Sequence, residues 1–304
     1  SLKKAARQTV GPELQKRIQL IIETSLIEIK DDFKIYWKNF PIAKLEAGKD
    51  YLNPDFILIV DDILENSEKQ KLSEFVEKWI KSKINLVLKS LINLKNLKES
   101  NSSIKALAYQ LYENNGVIKR DQVSSYLKKI GQDERKILRD LGVKFGRYHI
   151  FLFRLLKPEA VSLRVLLWKN YHQKYFTLTP PTFGLNFLED KNFSNKSFML
   201  LCGFENFDQY FVRIDILERL FVQIINANPD NIKEIKLVPE MLNLLGCNKD
   251  NFKKLIQKMK YKIYEKNNEI YFQYKPIKEK VKKVFKKVNT EDSPFKILKN
   301  INFN

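Results

Sequence analysis

The residues best suited to chemistry in this chain are cations set among aromatic rings. The stretch LGVKFGRYHIFLFRLLKP, residues 141–158, places Lys144, Arg147, Arg154 and Lys157, together with His149, between Phe145, Tyr148, Phe151 and Phe153. Guanidinium forks bind pairs of phosphate oxygens. Aromatic side chains beside them stack on unpaired bases. The stretch therefore suits one wall of a groove for a polyanion. It suits equally a core strand whose basic residues pair with Asp140 and Glu159, and spacing alone does not separate the two. Read as a strand, it lays Phe145, His149, Phe151 and Phe153 on one face and Lys144, Tyr148 and Ile150 on the other.

Bond-making chemistry finds less support. Cys202 and Cys247 stand 45 positions apart with no CxxC spacing, and His149 and His172 are as isolated. A zinc site takes about four ligands, usually in close pairs. His149 and Cys202 read as a structural histidine and a buried thiol. EAGKD, residues 46–50, has the Gly-Lys of a phosphate loop but neither its upstream glycine nor its hydroxyl. It reads as a turn. GxSxG and HExxH are both missing from the sequence. The expectation is a chain with no catalytic residue, cofactor or metal of its own.

Charge points the same way as the cationic stretch. Lys and Arg number 55 against 36 Asp and Glu, a formal net charge of +19 over 304 residues. Such an excess attracts nucleic acid or an anionic membrane. The longest apolar runs, FILIV and IFLF, are far too short to span a bilayer, and no secretory leader opens the chain. A reduced, cytoplasmic protein without a membrane partner is expected.

The elements that must position these residues follow from periodicity. Residues 1–97 read as an N-terminal helix with Pro12 near its start, a β-hairpin over 33–50, a short buried strand or helix lead-in at 55–62, and one long amphipathic helix over 67–94 capped by Ser67. Residues 98–200 form a helical module. Its helices fall at 103–114, 121–130 and 132–141, then the cationic stretch leads into a helix with Pro158 in its first turn, and 171–197 is a long loop.

Residues 201–288 begin with a helix over 213–227. They continue as a short helix closed by Gly246, a second helix over 248–261, and two alternating strands joined by KNNE. That is the order of a winged helix-turn-helix. On the second helix Phe252, Leu255, Ile256 and Met259 face inward, so Lys254, Gln257 and Tyr261 point out with Lys253 and Lys258 beside them. Such a face suits phosphate and base contact, or protein contact with the lysines merely solvated. A basic amphipathic helix over 275–288 carries Ile277, Val281, Val284, Phe285 and Val288 on one side, and 289–304 is a C-terminal tail. The fold class expected is mainly α with small β-hairpins: a helical accessory region plus a C-terminal winged-helix-like unit.

The block LGVKFGRYHIFLFRLLKPEAVSLRVLLW resembles the C-terminal part of alphaproteobacterial superfamily 2 (DExH-type) ATP-dependent helicases related to the mitochondrial RNA-degradosome helicase. Leu141, Gly142, Val143, Phe145, Gly146, Tyr148, His149, Leu155, Leu156, Lys157, Pro158, Leu163, Arg164, Leu167 and Trp168 carry the likeness. ARQTVGPELQKRI, WKNFPIAKLEAGKDYLNPDFILIVDD, VRIDILERL, LLGCNKDNFKKLIQKMKY and DSPFKIL agree with it in order. The two motor domains of that family have no counterpart here.

The resemblance implies an accessory region that grips a strand while a motor elsewhere hydrolyses ATP with Mg. Its expected partners are nucleic acid, with single-stranded RNA or DNA favoured, its own N-terminal helicase motor domains and a ribonuclease. Arg147, Arg154, Lys157 and Arg164 would contact phosphates, with Lys144 and Tyr148 in the same wall. Lys253, Lys254, Gln257 and Lys258 would form a second contact surface. The alternatives are a protein-docking scaffold of the helicase and a free-standing winged-helix nucleic-acid-binding protein.

Overall fold

Alternation of apolar and polar residues builds the first sheet. The computed structural model describes residues 2–60, 64–98, 102–191, 195–228 and 234–274. Helix α1 (Leu2–Thr24) buries Ile18 and Ile21 against a four-stranded antiparallel meander, β1 (Ile27–Ile29), β2 (Lys34–Trp37), β3 (Phe40–Asp50) and β4 (Asn53–Leu58), in that order. The expected hairpin is β2 and β3, turned at Lys38 and Asn39. Ile35 and Trp37 are buried while Lys34 and Tyr36 stay half-exposed.

The chain departs from expectation at residues 46–50 and 55–62. Residues 55–62 do not begin as a buried strand, because β4 lies at the sheet edge and alternates between exposed and half-buried residues. EAGKD is not a turn but the end of β3, where the register with β4 shifts between Glu46 and Asp50. A side chain at Gly48 would fall on the Asn53 carbonyl.

The long periodic segment is two helices, α2 (Asn66–Val87) and α3 (Lys89–Lys95), not one. The break at Leu88 buries Leu88, Leu91 and Leu94 together, and the N-cap is Glu65 rather than Ser67. Next come α4 (Ser102–Glu113), the single turn α5 (Ser124–Leu127) in place of a helix over 121–130, and α6 (Gln132–Asp140). A small antiparallel sheet joins β5 (Val117–Lys119), β6 (Val143–Phe145) and β7 (His149–Leu152) in the order β5-β7-β6. Every residue of β7 is buried. The central strand is covered on both faces, so the two-faced alternation expected of residues 145–153 does not occur. A 3-10 turn (Phe153–Leu156) leads to α7 (Pro158–His172), which has Pro158 at its start and is buried almost all round.

The last part opens with β8 (Phe187–Glu189), a short strand inside the expected loop, then α8 (Lys196–Leu201), β9 (Phe204–Phe207) and β10 (Tyr210–Arg213). Their sheet order is β8-β10-β9. Helix α9 (Ile214–Ala227) follows, then β11 (Ile235–Lys236), α10 (Pro239–Leu245), α11 (Lys249–Lys258), β12 (Tyr261–Lys266) and β13 (Glu269–Tyr274). Their sheet order is β11-β13-β12. Asn267 and Asn268 both take positive φ in the hairpin turn, as a two-residue turn demands.

Leu217, Leu220, Leu245, Phe252, Leu255, Ile256 and Phe272 share one buried cluster. Tyr261 also belongs to it, which corrects its outward assignment; its ring packs against Phe272. The basic helix expected over 275–288 and the tail 289–304 lie outside the described residues. The molecule is helical with small antiparallel sheets, and no described helix is long and apolar enough to cross a membrane.

Candidate functional site

The cationic stretch does not lie flat. Between β6 and β7 the chain turns, and three successive backbone amides of that turn converge on one carboxylate. Glu218 of α9 accepts from Arg147 N at 2.5 Å, Tyr148 N at 2.8 Å and His149 N at 2.8 Å. Gly146 makes this approach feasible, because a Cβ there would fall on the Glu218 carboxyl group. Arg120 holds the turn from behind, its guanidinium donating to Gly146 O at 2.9 Å and its amide to Tyr148 O at 2.9 Å.

A second carboxylate meets the same turn from β9. His149 Nε2 lies 2.6 Å from Glu205 Oε2, and its Nδ1 lies 3.6 Å from Glu218 Oε1. Lys119 reaches Glu205 Oε1 at 3.0 Å. The His149 ring is 2% exposed. Burial works against its charge, but hydrogen bonding to Glu205 and the negative charge of Glu218 nearby outweigh that and raise its pKa above the ordinary value. Burial alone would raise both carboxylates; hydrogen bonding to His149 holds Glu205 below its usual range, and the nearness of His149 with the three backbone amides holds Glu218 below its own. With His149 protonated, the two cations and two carboxylates sum to zero charge.

In front of this cluster opens a cleft of about 790 Å³. Lys119 and Arg120 line it from the end of β5, Lys128 from just after α5, Arg135 from α6 and Arg147 from the turn. Tyr148 and Phe207 add aromatic wall. Glu205 is occupied within, which leaves Asp121 as the other acidic lining residue. Among the described residues Arg120, Lys128, Arg135 and Arg147 form no ion pair. Arg135 donates to Leu127 O at 2.9 Å, and its buried Nε is without a partner. Arg147 is exposed and lies over the Phe221 ring at 5.3 Å. The arrangement can hold an anion several charges long. The His149 ring is too enclosed to serve a ligand as acid or base.

The expected site residues scatter. Arg147 and Tyr148 reach the cleft. Tyr148 packs edge-on against Phe221, and it shares a hollow behind the turn with Tyr261. Lys144, Arg154 and Lys157 are exposed but do not line the cleft. The expected pairing of Glu159 within the stretch is replaced by Lys83, at 2.9 Å. Arg164 is a correction: it is fully buried and cannot touch a phosphate. It donates to Asn115 O at 2.8 Å and Leu155 O at 2.7 Å, and burial pushes its pKa down to about 10.

On α11, Lys253 is tied to Glu265 at 2.6 Å and Lys258 to Asp208 at 2.7 Å, while Lys254 and Gln257 are exposed. The cations drawn together are instead Lys119, Arg120, Lys128 and Arg135, which the sequence reading did not single out, along with Glu205 and Glu218. Glu218 left one trace, since it stands beside the apolar stripe of Ile214, Leu217 and Phe221 on α9.

No family model, curated protein or solved structure matches the chain. The helicase resemblance rests on the sequence blocks quoted for it.

Proposed function

We propose that this chain is the C-terminal, nucleic-acid-binding accessory region of an ATP-dependent helicase, and that the cleft beside the turn 146–149 holds the backbone of a single strand. One observation carries the reading: four cations without ion pairs, from four separate segments, line one cleft whose buried carboxylate is already neutralised. Guanidinium groups suit phosphate pairs, and the Phe207 and Tyr148 walls suit unstacked bases. ATP, Mg and strand separation belong to motor domains outside this chain, and a ribonuclease is the further partner that the resemblance implies.

Helix, strand, helix, helix and hairpin over α9 to β13 is the order of a winged helix, and we assign that unit so. Its α11 face, with Lys253 and Lys258 tied to acids, is the part that suits protein contact.

The test is fluorescence anisotropy with short labelled single-stranded RNA and DNA. About four phosphate contacts on a single strand predict roughly a fiftyfold loss of affinity between 50 and 200 mM salt. Joint replacement Lys128→Glu and Arg147→Glu should weaken binding at low salt by at least about tenfold. Binding that ignores both salt and these replacements would refute the assignment.

A further inference from the structure

Behind the turn 146–149 lies a hollow of about 270 Å³, between α9 and the β12–β13 hairpin. Four rings line it: Tyr148 from the turn, Phe221 from α9, Tyr261 from β12 and Tyr274 from the end of β13. Ile225 adds apolar wall, and Arg147 is the cation of the lining. Arg147 and Tyr148 also line the cleft. The turn is thus the shared wall of a cationic space and an aromatic one.

The rings of the hollow are not stacked on one another. Tyr148 and Phe221 stand 5.2 Å apart at 84°, and Tyr261 and Tyr274 stand 5.2 Å apart at 59°. None of the four has a parallel ring partner among the described residues. Offset stacking is one of the favoured arrangements of aromatic pairs, and here that position is left to a flat guest. Tyr261 is 5% exposed and lies deep, whereas Tyr274 at 39% and Ile225 at 44% mark the open side.

We infer that the hollow is a base subsite, which takes one unstacked nucleobase of the strand whose phosphates lie in the cleft. The inference rests on the reading of the cleft given above. Charge decides for a base over an apolar side chain of a protein partner. Arg147 is exposed, forms no ion pair among the described residues and lies over the Phe221 ring at 5.3 Å. A guanidinium can keep its face on a ring while its edge binds a pair of phosphate oxygens. A base in the hollow stays joined to a phosphate that must pass this residue, so one ligand satisfies both the rings and the cation. A leucine or phenylalanine from a partner would satisfy the rings alone. Every base has a π-face, so the subsite tells a strand with bases from one without them and is indifferent to sequence.

Fluorescence anisotropy on the full chain tests it with two labelled strands of about ten units, one of thymidine and one of abasic tetrahydrofuran phosphates, equal in charge. Tyr274→Leu keeps apolar bulk and loses the ring face, whereas Tyr274→Phe keeps both. Each variant is first checked to melt within a few degrees of the parent. Tyr274→Leu is expected to weaken binding of the thymidine strand about fivefold or more and to leave the abasic strand within about twofold. Tyr274→Phe is expected to bind both strands as the parent does. Equal losses on the two strands, no loss on either, or a loss as large with Tyr274→Phe would overturn the base subsite. The cleft reading would survive those outcomes as long as the abasic strand still loses affinity with added salt. Abasic binding that ignores salt, or no binding of either strand, would overturn the cleft reading and the subsite with it.

Discussion

Gly146 shows how much one missing methyl group can arrange. Without it Glu218 could not reach the three amides of the turn, and His149 would lose one of its two carboxylates. Gly146→Ala is expected to lower stability by about 3 kcal/mol or more, because a buried carboxylate would lose charge-assisted bonds that are each worth roughly 1.5–3 kcal/mol. Urea denaturation measures it, and a loss below about 1 kcal/mol would show that the turn gives way cheaply.

The same cluster sets a pH dependence. His149 titrates above its ordinary 6.5, so its contribution to stability is full below about 6.5 and drains away as pH climbs through the raised folded value. Glu205 and Glu218 titrate below their ordinary 4.5, so theirs is full above about 4.5 and is lost as pH falls through the lowered values. The urea midpoint should therefore be highest between these limits. His149→Gln should flatten the alkaline side of the profile while leaving the acid side sloping. The sequence marked Gly146 and His149 through the quoted block, but their acidic partners lie 56 and 69 residues from His149, and no local pattern announces a pairing at that range.

Among the elements, most of the periodic segments are legible. Helices α4, α6, α7 and α9 and the β2–β3 and β12–β13 hairpins fall within a residue or two of their apolar spacing and turn residues. The break at Leu88 is not legible, since the apolar repeat runs straight through it and only the packing of α3 decides where the helix bends. Helix α11 is legible in its buried side and misleading on its outer one. Lysines that look available along the sequence are engaged by acids from the neighbouring strand and the β9–β10 turn. Lys254, although exposed, stands apart from the cleft lining. Lys254→Glu is accordingly expected to change single-strand affinity less than about twofold, whereas Arg147→Glu alone should cost several-fold. A larger effect of Lys254→Glu in the anisotropy assay would move the contact surface onto α11.

At the scale of the whole molecule, the turn 146–149 is where separately built parts meet. It leaves the sheet β5-β7-β6, receives Glu205 from β9 and Glu218 from α9, and sends Tyr148 into the cluster that holds α11 and β13. Charged side chains tie the turn to α9 and β9, beside the apolar contacts of Tyr148 with Phe221 and of Val117 and Phe151 with Ile214. Glu218→Ala should therefore uncouple as well as destabilise. Hydrogen exchange is expected to quicken first in β9, β10 and α9 while α2, α4 and α7 keep their protection, and uniform loss across the described elements would disprove this division.

The first sheet carries a different kind of consequence. One of its two edge strands, β4, offers Pro54 in place of an amide and Asp55 beside it, and no further strand joins it among the described residues. A border that lacks a donor and bears a charge is a poor template for a neighbour's backbone. That edge thus has a built-in stop against growing from one molecule into the next.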